Sequence, residues 1–230
     1  MNRRRLLETV AVGSTVAVSG CLGSFLGDDA AENVVLGPPD DQVAESGDLA
    51  YPAYGEPFPT FSLPDPVAET TVDVAALDGV ILATAFYSYC DAECVPLIDS
   101  LAGVQHGTAD EGIADDVTVL AITFDPERDT AEALADHGDR MRVDLELGNW
   151  HYLRPEDDAA VDRIVVDELG IGIERVGPED AYDFNHITIT SLVNPDGYVE
   201  RAYREERLPV EDVLADVETV LSGYDERTTG

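Results

Sequence analysis

Two apolar runs stand out along the chain. Val80-Ile81-Leu82-Ala83-Thr84-Ala85-Phe86 and the stretch Val117 to Phe124 show no polar alternation, the pattern of strands covered on both faces. Between them, Leu97, Ile98, Leu101 and Val104 recur at the spacing of a helix with one buried face. Upstream, Phe58, Phe61 and Leu63 predict a short opening strand, and Val72, Val74 and Leu77 pack before the turn Asp78-Gly79. Downstream, Asp129 or Thr130 can cap a helix running to about Met141, with Glu132 in its first turn. Asp157 to Leu169 reads as another helix, stopped by Gly170. Ile187 to Val193 and Tyr198 to Tyr203 read as strands joined by the turn Asn194-Pro195-Asp196-Gly197. Leu208-Pro209 opens a last helix carrying Val210, Val213, Leu214, Val217 and Leu221.

The order is strand, Cys-bearing loop, helix, strand, two helices, hairpin, helix. An early βαβ unit followed by a terminal ββα unit predicts an α/β, thioredoxin-like fold, with a central mixed sheet flanked by helices. This domain is expected over 57–224, with 225–230 as a C-terminal tail. No internal repeat is visible.

The first residues read as an address. Asn2-Arg3-Arg4-Arg5-Leu6-Leu7 places a twin arginine before apolar residues, the pattern of a Tat export signal. The apolar stretch Thr9 to Val18 is shorter than the roughly 20 residues a membrane span requires. It ends in Val18-Ser19-Gly20-Cys21, small residues before a cysteine, which resembles a lipoprotein processing box. Residues 1–20 are therefore expected to be removed, leaving Cys21 as a lipid-modified N-terminus. The expected location is the outer face of the cytoplasmic membrane, to which this lipid anchors the chain. Residues 21–56 are rich in Asp, Glu, Ala, Gly and Pro without apolar period, and predict a disordered acidic linker.

Charge narrows the partners. There are 48 acidic residues against 13 basic ones, every basic one is Arg, and the formal net charge is -35. Such a field repels nucleic acid, which is excluded as a partner, and anionic lipid head groups. The apolar runs and a hydrophobic content of 44% speak against disorder as the reason for the acidity. Adaptation to high salt accounts for it, since the Debye length falls to roughly 3 Å at molar salt and self-repulsion is screened.

Chemistry is concentrated in Tyr87-Ser88-Tyr89-Cys90-Asp91-Ala92-Glu93-Cys94-Val95-Pro96, between a buried strand and a helix. A helix N-terminus lowers the pKa of a nearby thiol, and thiolates are both nucleophiles and soft metal ligands. Four residues of separation put both sulfurs on one face of a turn. As a structural staple the pair would be poor, because so short a loop removes little chain entropy. As a metal site it lacks a third ligand.

These residues resemble the Sco/SenC family, the thioredoxin-like copper proteins of cytochrome c oxidase assembly. That family has a Cys-x-x-x-Cys loop after its first central strand, matched by Cys90 and Cys94. A strand then ends in Asp-Pro, followed by a charged pair and Asp-Thr, matched by Phe124-Asp125-Pro126-Glu127-Arg128-Asp129-Thr130. A His precedes a strand closed by Asp-Pro-x-Gly; here His186 precedes Asn194-Pro195-Asp196-Gly197. The likeness spans most of 57–222, and the acidic chain with its lipoprotein box looks like a haloarchaeal-type lipoprotein of that family. There are departures: Asp91 and Val95 stand where the family often has Pro, and Asn185 stands where it commonly has Asp, with Asp183 nearby.

The resemblance implies copper held by Cys90, Cys94 and His186, with Cys90 and Cys94 forming a redox-active disulfide if oxidised. It implies a metallochaperone and not an enzyme, delivering copper to the dinuclear copper site of the copper-bearing subunit of a cytochrome c oxidase. The alternative is a thiol-disulfide oxidoreductase acting on exported or oxidase-subunit cysteines. A thiol peroxidase ranks last, since Tyr87 stands where such enzymes often carry Thr. Blue-copper electron transfer is disfavoured because Met1 and Met141 are the only methionines, and Met1 lies in the leader. His106, His137 and His151 are assigned structural roles, with His106 and His137 on helix surfaces; Asp125 and Asp129 are assigned to a turn and a cap.

Overall fold

The computed structural model describes residues 33–40, 42, 44–179 and 181–229. Cys21 and the leader lie outside the described residues. A small hairpin opens the domain, β1 (Ser62–Asp65) antiparallel to β2 (Thr70–Asp73). There follow β3 (Val80–Phe86), α1 (Cys94–Glu111), β4 (Val117–Thr123), α2 (Ala131–Met141) and β5 (Trp150–Leu153). Next comes α3 (Asp158–Val161), which continues as π-helical turns over Asp162–Glu168. β6 (Ile173–Val176), β7 (Asp183–His186), β8 (Thr190–Val193), β9 (Val199–Tyr203) and α4 (Val210–Thr229) complete the described chain.

The central sheet has the order β5-β4-β3-β8-β9. β4 runs parallel to β3 and β5, while β8 runs antiparallel to β3 and β9. This mixed sheet is the thioredoxin-like architecture that the element order predicts. β3 is buried at every position, as its unbroken apolar run requires. Leu97, Ile98, Leu101 and Val104 of α1 and Val213, Val217 and Val220 of α4 close the core. At Gly79 (φ +81°) a Cβ would stand 2.3 Å from the carbonyl oxygen of Asp116, so the entry to β3 accepts only glycine.

Register decides where chemistry gathers. Phe86 lies opposite Thr123 and Thr84 lies opposite Thr190. The ends of β3 and β4 and the start of β8 therefore share one edge of the sheet. The Cys loop, the turn 124–130 and the His-bearing segment meet there.

Several expectations change. The strand expected from Ile187 begins only at Thr190, because Ile187 leaves the sheet to donate its N–H to the carbonyl of Gly172. β5 and the hairpin β6–β7 go beyond the strands that the sequence pattern predicts. Thr130, not Asp129, caps α2, its hydroxyl accepting from the N–H of Ala133 at 3.2 Å. The stretch 225–229 is no free tail, since α4 continues through Thr229.

The linker is also corrected. From Asn33 the described part is docked: Val34 and Leu36 are buried, and the buried Glu200 carboxylate accepts from the N–H groups of Val35 (2.8 Å) and Leu36 (2.9 Å). At Gly170 (φ +65°) a Cβ would lie 1.9 Å from the carbonyl oxygen of Ala50, so this segment closes tightly on the domain. Among the described residues no helix is long and apolar enough to cross a membrane.

Candidate metal centre

The Cys loop leaves β3 at Phe86 and turns, with the N–H of Cys90 donating to the carbonyl of Tyr87 at 3.3 Å. Cys94 is the first residue of α1, and its N–H donates to the sulfur of Cys90 at 3.4 Å. Cys90 thus sits at the positive end of an 18-residue helix. Pro96 falls in the first turn, where a missing N–H costs no helical hydrogen bond.

His186, the last residue of β7, brings the imidazole from the other side. Its side chain is fully buried. Nε2 lies 3.5 Å from the sulfur of Cys94 and 3.4 Å from a carboxylate oxygen of Glu93. Nδ1 lies 3.2 Å from the carbonyl of Ile187, which assigns the proton to Nδ1 and leaves Nε2 free to ligate. The ring packs on Phe124 at 5.0 Å and edge-on to Tyr87 at 6.2 Å.

The ligand atoms of Cys90, Cys94 and His186 all lie within 4.8 Å of one another, the one such group among the described residues. Both cysteines are free thiols. They share a proton unequally. The hydrogen bond from Cys94 pulls Cys90 well below the ordinary thiol range against the opposing effect of burial, helped by His186 and the amides of Ala92 and Cys94. The same bond, with burial and the charge on Cys90, raises Cys94. Burial opposes an imidazolium at His186, yet the Cys90 sulfur, the Ile187 backbone and Glu93 outweigh it and raise the pKa. One thiolate is therefore preformed, and the second forms when a cation replaces its proton. Two thiolates and an imidazole are soft ligands that fit Cu(I) and disfavour hard cations such as Mg²⁺ or Ca²⁺.

The turn after β4 supports both halves. The buried carboxylate of Asp129 accepts from the N–H and the hydroxyl of Ser88 and from the hydroxyl of Thr123. Asp125 pairs with Arg128 and accepts from the hydroxyl of Tyr182 at 2.8 Å. Arg128 donates to the carbonyl of Tyr182 at 2.9 Å and stacks 3.8 Å from its ring centroid. Burial, with the Asp125 hydrogen bond, pushes the Tyr182 phenol up to about 12. Asp125 keeps its place in the turn, its carbonyl accepting the N–H of Asp129 at 3.0 Å, and adds these bonds; Asp129 holds Ser88 and Thr123 instead of capping α2. The sequence motif Phe124 to Thr130 is the available signal for this turn, and Asp183 stands out only as a carboxylate near Asn185; nothing in the sequence points to Tyr182.

The other histidines stand apart from this cluster. His106 contacts the carbonyl of Arg142 at 2.8 Å, and His151 contacts the buried Asp65 at 3.0 Å. His137 is not on the surface: it is buried against Phe86 and Tyr152, where burial, with Arg140 adding, lowers its pKa to about 4.

The family described as SCO1/SenC matches residues 56–222. A SCO1/SenC family lipoprotein from Bacillus anthracis str. Ames is 20% identical; the match covers 75% of this chain and 96% of that one, with a TM-score of 0.62. Bradyrhizobium japonicum ScoI, solved with copper bound, is 21% identical over 71% of this chain and 98% of its own, with a TM-score of 0.59. BsSco, described as having a disulfide switch and as a member of the Sco family of cytochrome c oxidase assembly proteins, is 23% identical over 71% and 92%, also at 0.59. No curated protein matches the sequence.

Proposed function

The chain belongs to the SCO1/SenC family, and from that premise we propose that it binds copper through Cys90, Cys94 and His186 and delivers it to the dinuclear copper site of a membrane cytochrome c oxidase. The observation that carries the reading is the convergence of three soft donors from two separate elements within 4.8 Å. The copper-bound relative and the oxidase-assembly relative point the same way. Cu(I) is the cargo. Binding displaces the shared thiol proton, so uptake is coupled to proton release. Delivery proceeds by ligand exchange, as thiolates of the acceptor replace Cys90 and Cys94 one at a time. The acceptor is the copper-bearing subunit, reached from the outer face of the membrane by a chain anchored through lipid on Cys21.

A second reading rests on the preformed thiolate of Cys90. As an oxidoreductase, Cys90 attacks a target disulfide, forming a mixed disulfide and releasing one target thiolate. Cys94 then attacks the Cys90 sulfur, releasing the second thiolate and leaving a Cys90–Cys94 disulfide, with two electrons passed to the target.

Anaerobic loading of the reduced chain with Cu(I) separates the two, using Cys21→Ser so that Cys90 and Cys94 are the only thiols. One copper per chain, greatly weakened by His186→Ala, is the expected result. No retained copper together with turnover of a disulfide substrate overturns the chaperone reading in favour of the oxidoreductase.

A further inference from the structure

His186 is not held by the central sheet. Among the described residues β7 pairs only with β6, and the two form a separate two-stranded sheet. The place of the imidazole opposite the sulfurs therefore depends on how this hairpin is fastened to the rest of the chain. Arg128 and Asp125 fasten it at Tyr182. A second fastening lies nearer the thiols, between Tyr87 and Asp183.

Tyr87 is buried three residues before Cys90, and its carbonyl accepts the N–H of Cys90. Its hydroxyl donates to Oδ1 of Asp183, three residues before His186. The same oxygen accepts from the N–H of Phe184 at 2.9 Å, which orients the carboxylate along β7. The Tyr87 ring meets Phe184 at 5.2 Å and Phe124 at 5.3 Å, so the aromatic body is packed independently of the hydroxyl. A phenylalanine would fill that space. The hydroxyl adds a directed bond from the thiol loop to the imidazole strand, and a largely buried phenol requires such a partner. Asp183 is exposed and would be satisfied by water, so the bond serves the loop and the hairpin more than the carboxylate.

We propose that the Tyr87–Asp183 hydrogen bond is a latch that closes the β6–β7 hairpin onto the Cys loop and sets where His186 stands relative to the two sulfurs. Both are positioning residues; the ligands remain Cys90, Cys94 and His186. The consequence for copper rests on the copper-binding reading above, while the latch itself is a property of the metal-free chain.

The test compares Tyr87→Phe, Asp183→Ala and Asp183→Asn, the last retaining an oxygen that accepts from the phenol. In the reduced Cys21→Ser chain, Tyr87→Phe and Asp183→Ala are expected to weaken Cu(I) by roughly 10- to 100-fold, as loss of a ligand-orienting contact does. Asp183→Asn restores most of the affinity. In a His186→Ala background neither change has further effect. The independent readout is metal-free: the ring nitrogen resonances of His186 shift and broaden in Tyr87→Phe while the amides of β3 and β4 stay in place. The latch is overturned if affinity and ring resonances are unchanged, or if Tyr87→Phe weakens copper equally with His186→Ala present. A parent chain that takes up no copper overturns the copper reading alone, and the ring resonances then decide the latch.

Discussion

Asp129 holds Ser88 by two donors at once: its carboxylate accepts the Ser88 N–H at 3.1 Å and the Ser88 hydroxyl. Ser88 lies two residues before Cys90, and Asp129 lies in the turn that follows β4. Four residues earlier in that turn, Asp125 grips the imidazole hairpin through Arg128 and Tyr182. A single turn thus holds the thiol half of the site with one carboxylate and the imidazole half with another. Both carboxylates are buried, so neither grip is diluted by water.

Removing the first grip should be costly. Asp129→Ala leaves the Ser88 and Thr123 donors without their acceptor, and each buried donor so orphaned costs about 1–3 kcal/mol. A loss of about 3 kcal/mol is expected in urea unfolding. The carboxyl also carries a pH signature. Burial raises its pKa, while Ser88 and Thr123 oppose that rise and Asp125 adds to it. A raised folded-state value favours the neutral carboxyl, so its contribution is complete below the ordinary value of 3.8 and is lost as pH rises through the folded value. The stability of the parent relative to Asp129→Asn should therefore fall as pH rises above about 4. A difference that stays flat with pH would sink this assignment.

The two thiols should differ in reactivity. Cys90 carries the preformed thiolate and is 8% exposed, whereas Cys94 is raised and 1% exposed. A small alkylating reagent at pH 6 should label Cys90 first in the metal-free reduced chain. Cys94→Ala removes the bond that holds the Cys90 pKa down. Each unit of rise lowers the thiolate fraction roughly tenfold once the pKa exceeds the working pH, so labelling of Cys90 should slow. Mass mapping that finds Cys94 modified first would reverse the order.

Much of this was legible before the structure. The continuous runs of β3 and β4 and the helical spacing of Leu97 to Val104 reflect burial, which sequence records directly. The motif Phe124 to Thr130 and the cysteine spacing carried the thiol side of the site. The β6–β7 hairpin was not legible, because Asp183-Phe184-Asn185-His186 is short and partly exposed and is held by aromatic and Arg128 contacts instead of an apolar run. The docked stretch from Asn33 is hidden in the sequence for another reason. It has no apolar period, yet Val34 and Leu36 are buried and Glu200 holds its backbone from 165 positions away, a long-range contact that local sequence does not record.

His137 gives an acid limit to stability. It is buried beside Phe86 and Tyr152, and its pKa falls to about 4 from an ordinary 6.5. The unfolded chain therefore binds a proton here that the folded chain refuses. Stability from this group is present above pH 6.5 and lost as pH falls through 4. The full shift is of order 3 kcal/mol. His137→Leu should remove this component, seen as a smaller loss of the thermal midpoint between pH 7 and pH 4. A parent and variant that lose stability in parallel would show that the imidazole is protonated inside the fold.

Glu200 should govern the N-terminal strap. Its carboxylate is completely buried and accepts from Val35, Leu36 and the side-chain amide of Asn194, the last at 2.7 Å. Asn194 in turn donates to the carbonyl of Asn33 at 2.8 Å, and Tyr54 donates to that of Leu36 at 2.8 Å. A buried charge met by several N–H donors is stable only as a complete set, because each orphaned amide costs about 1–3 kcal/mol. Glu200→Ala orphans the amides of Val35 and Leu36 together. The strap can relieve that cost by detaching into water, an escape closed to a strand inside the sheet. The expected result is local: amide exchange at Val35 and Leu36 rises by roughly 100-fold, about 3 kcal/mol, while that of β3 and β4 is unchanged. Protease cleavage between residues 37 and 50 should quicken in the same variant. If instead exchange rises equally in the strap and in the central strands, the strap unfolds only with the whole domain, and Glu200 belongs to the core.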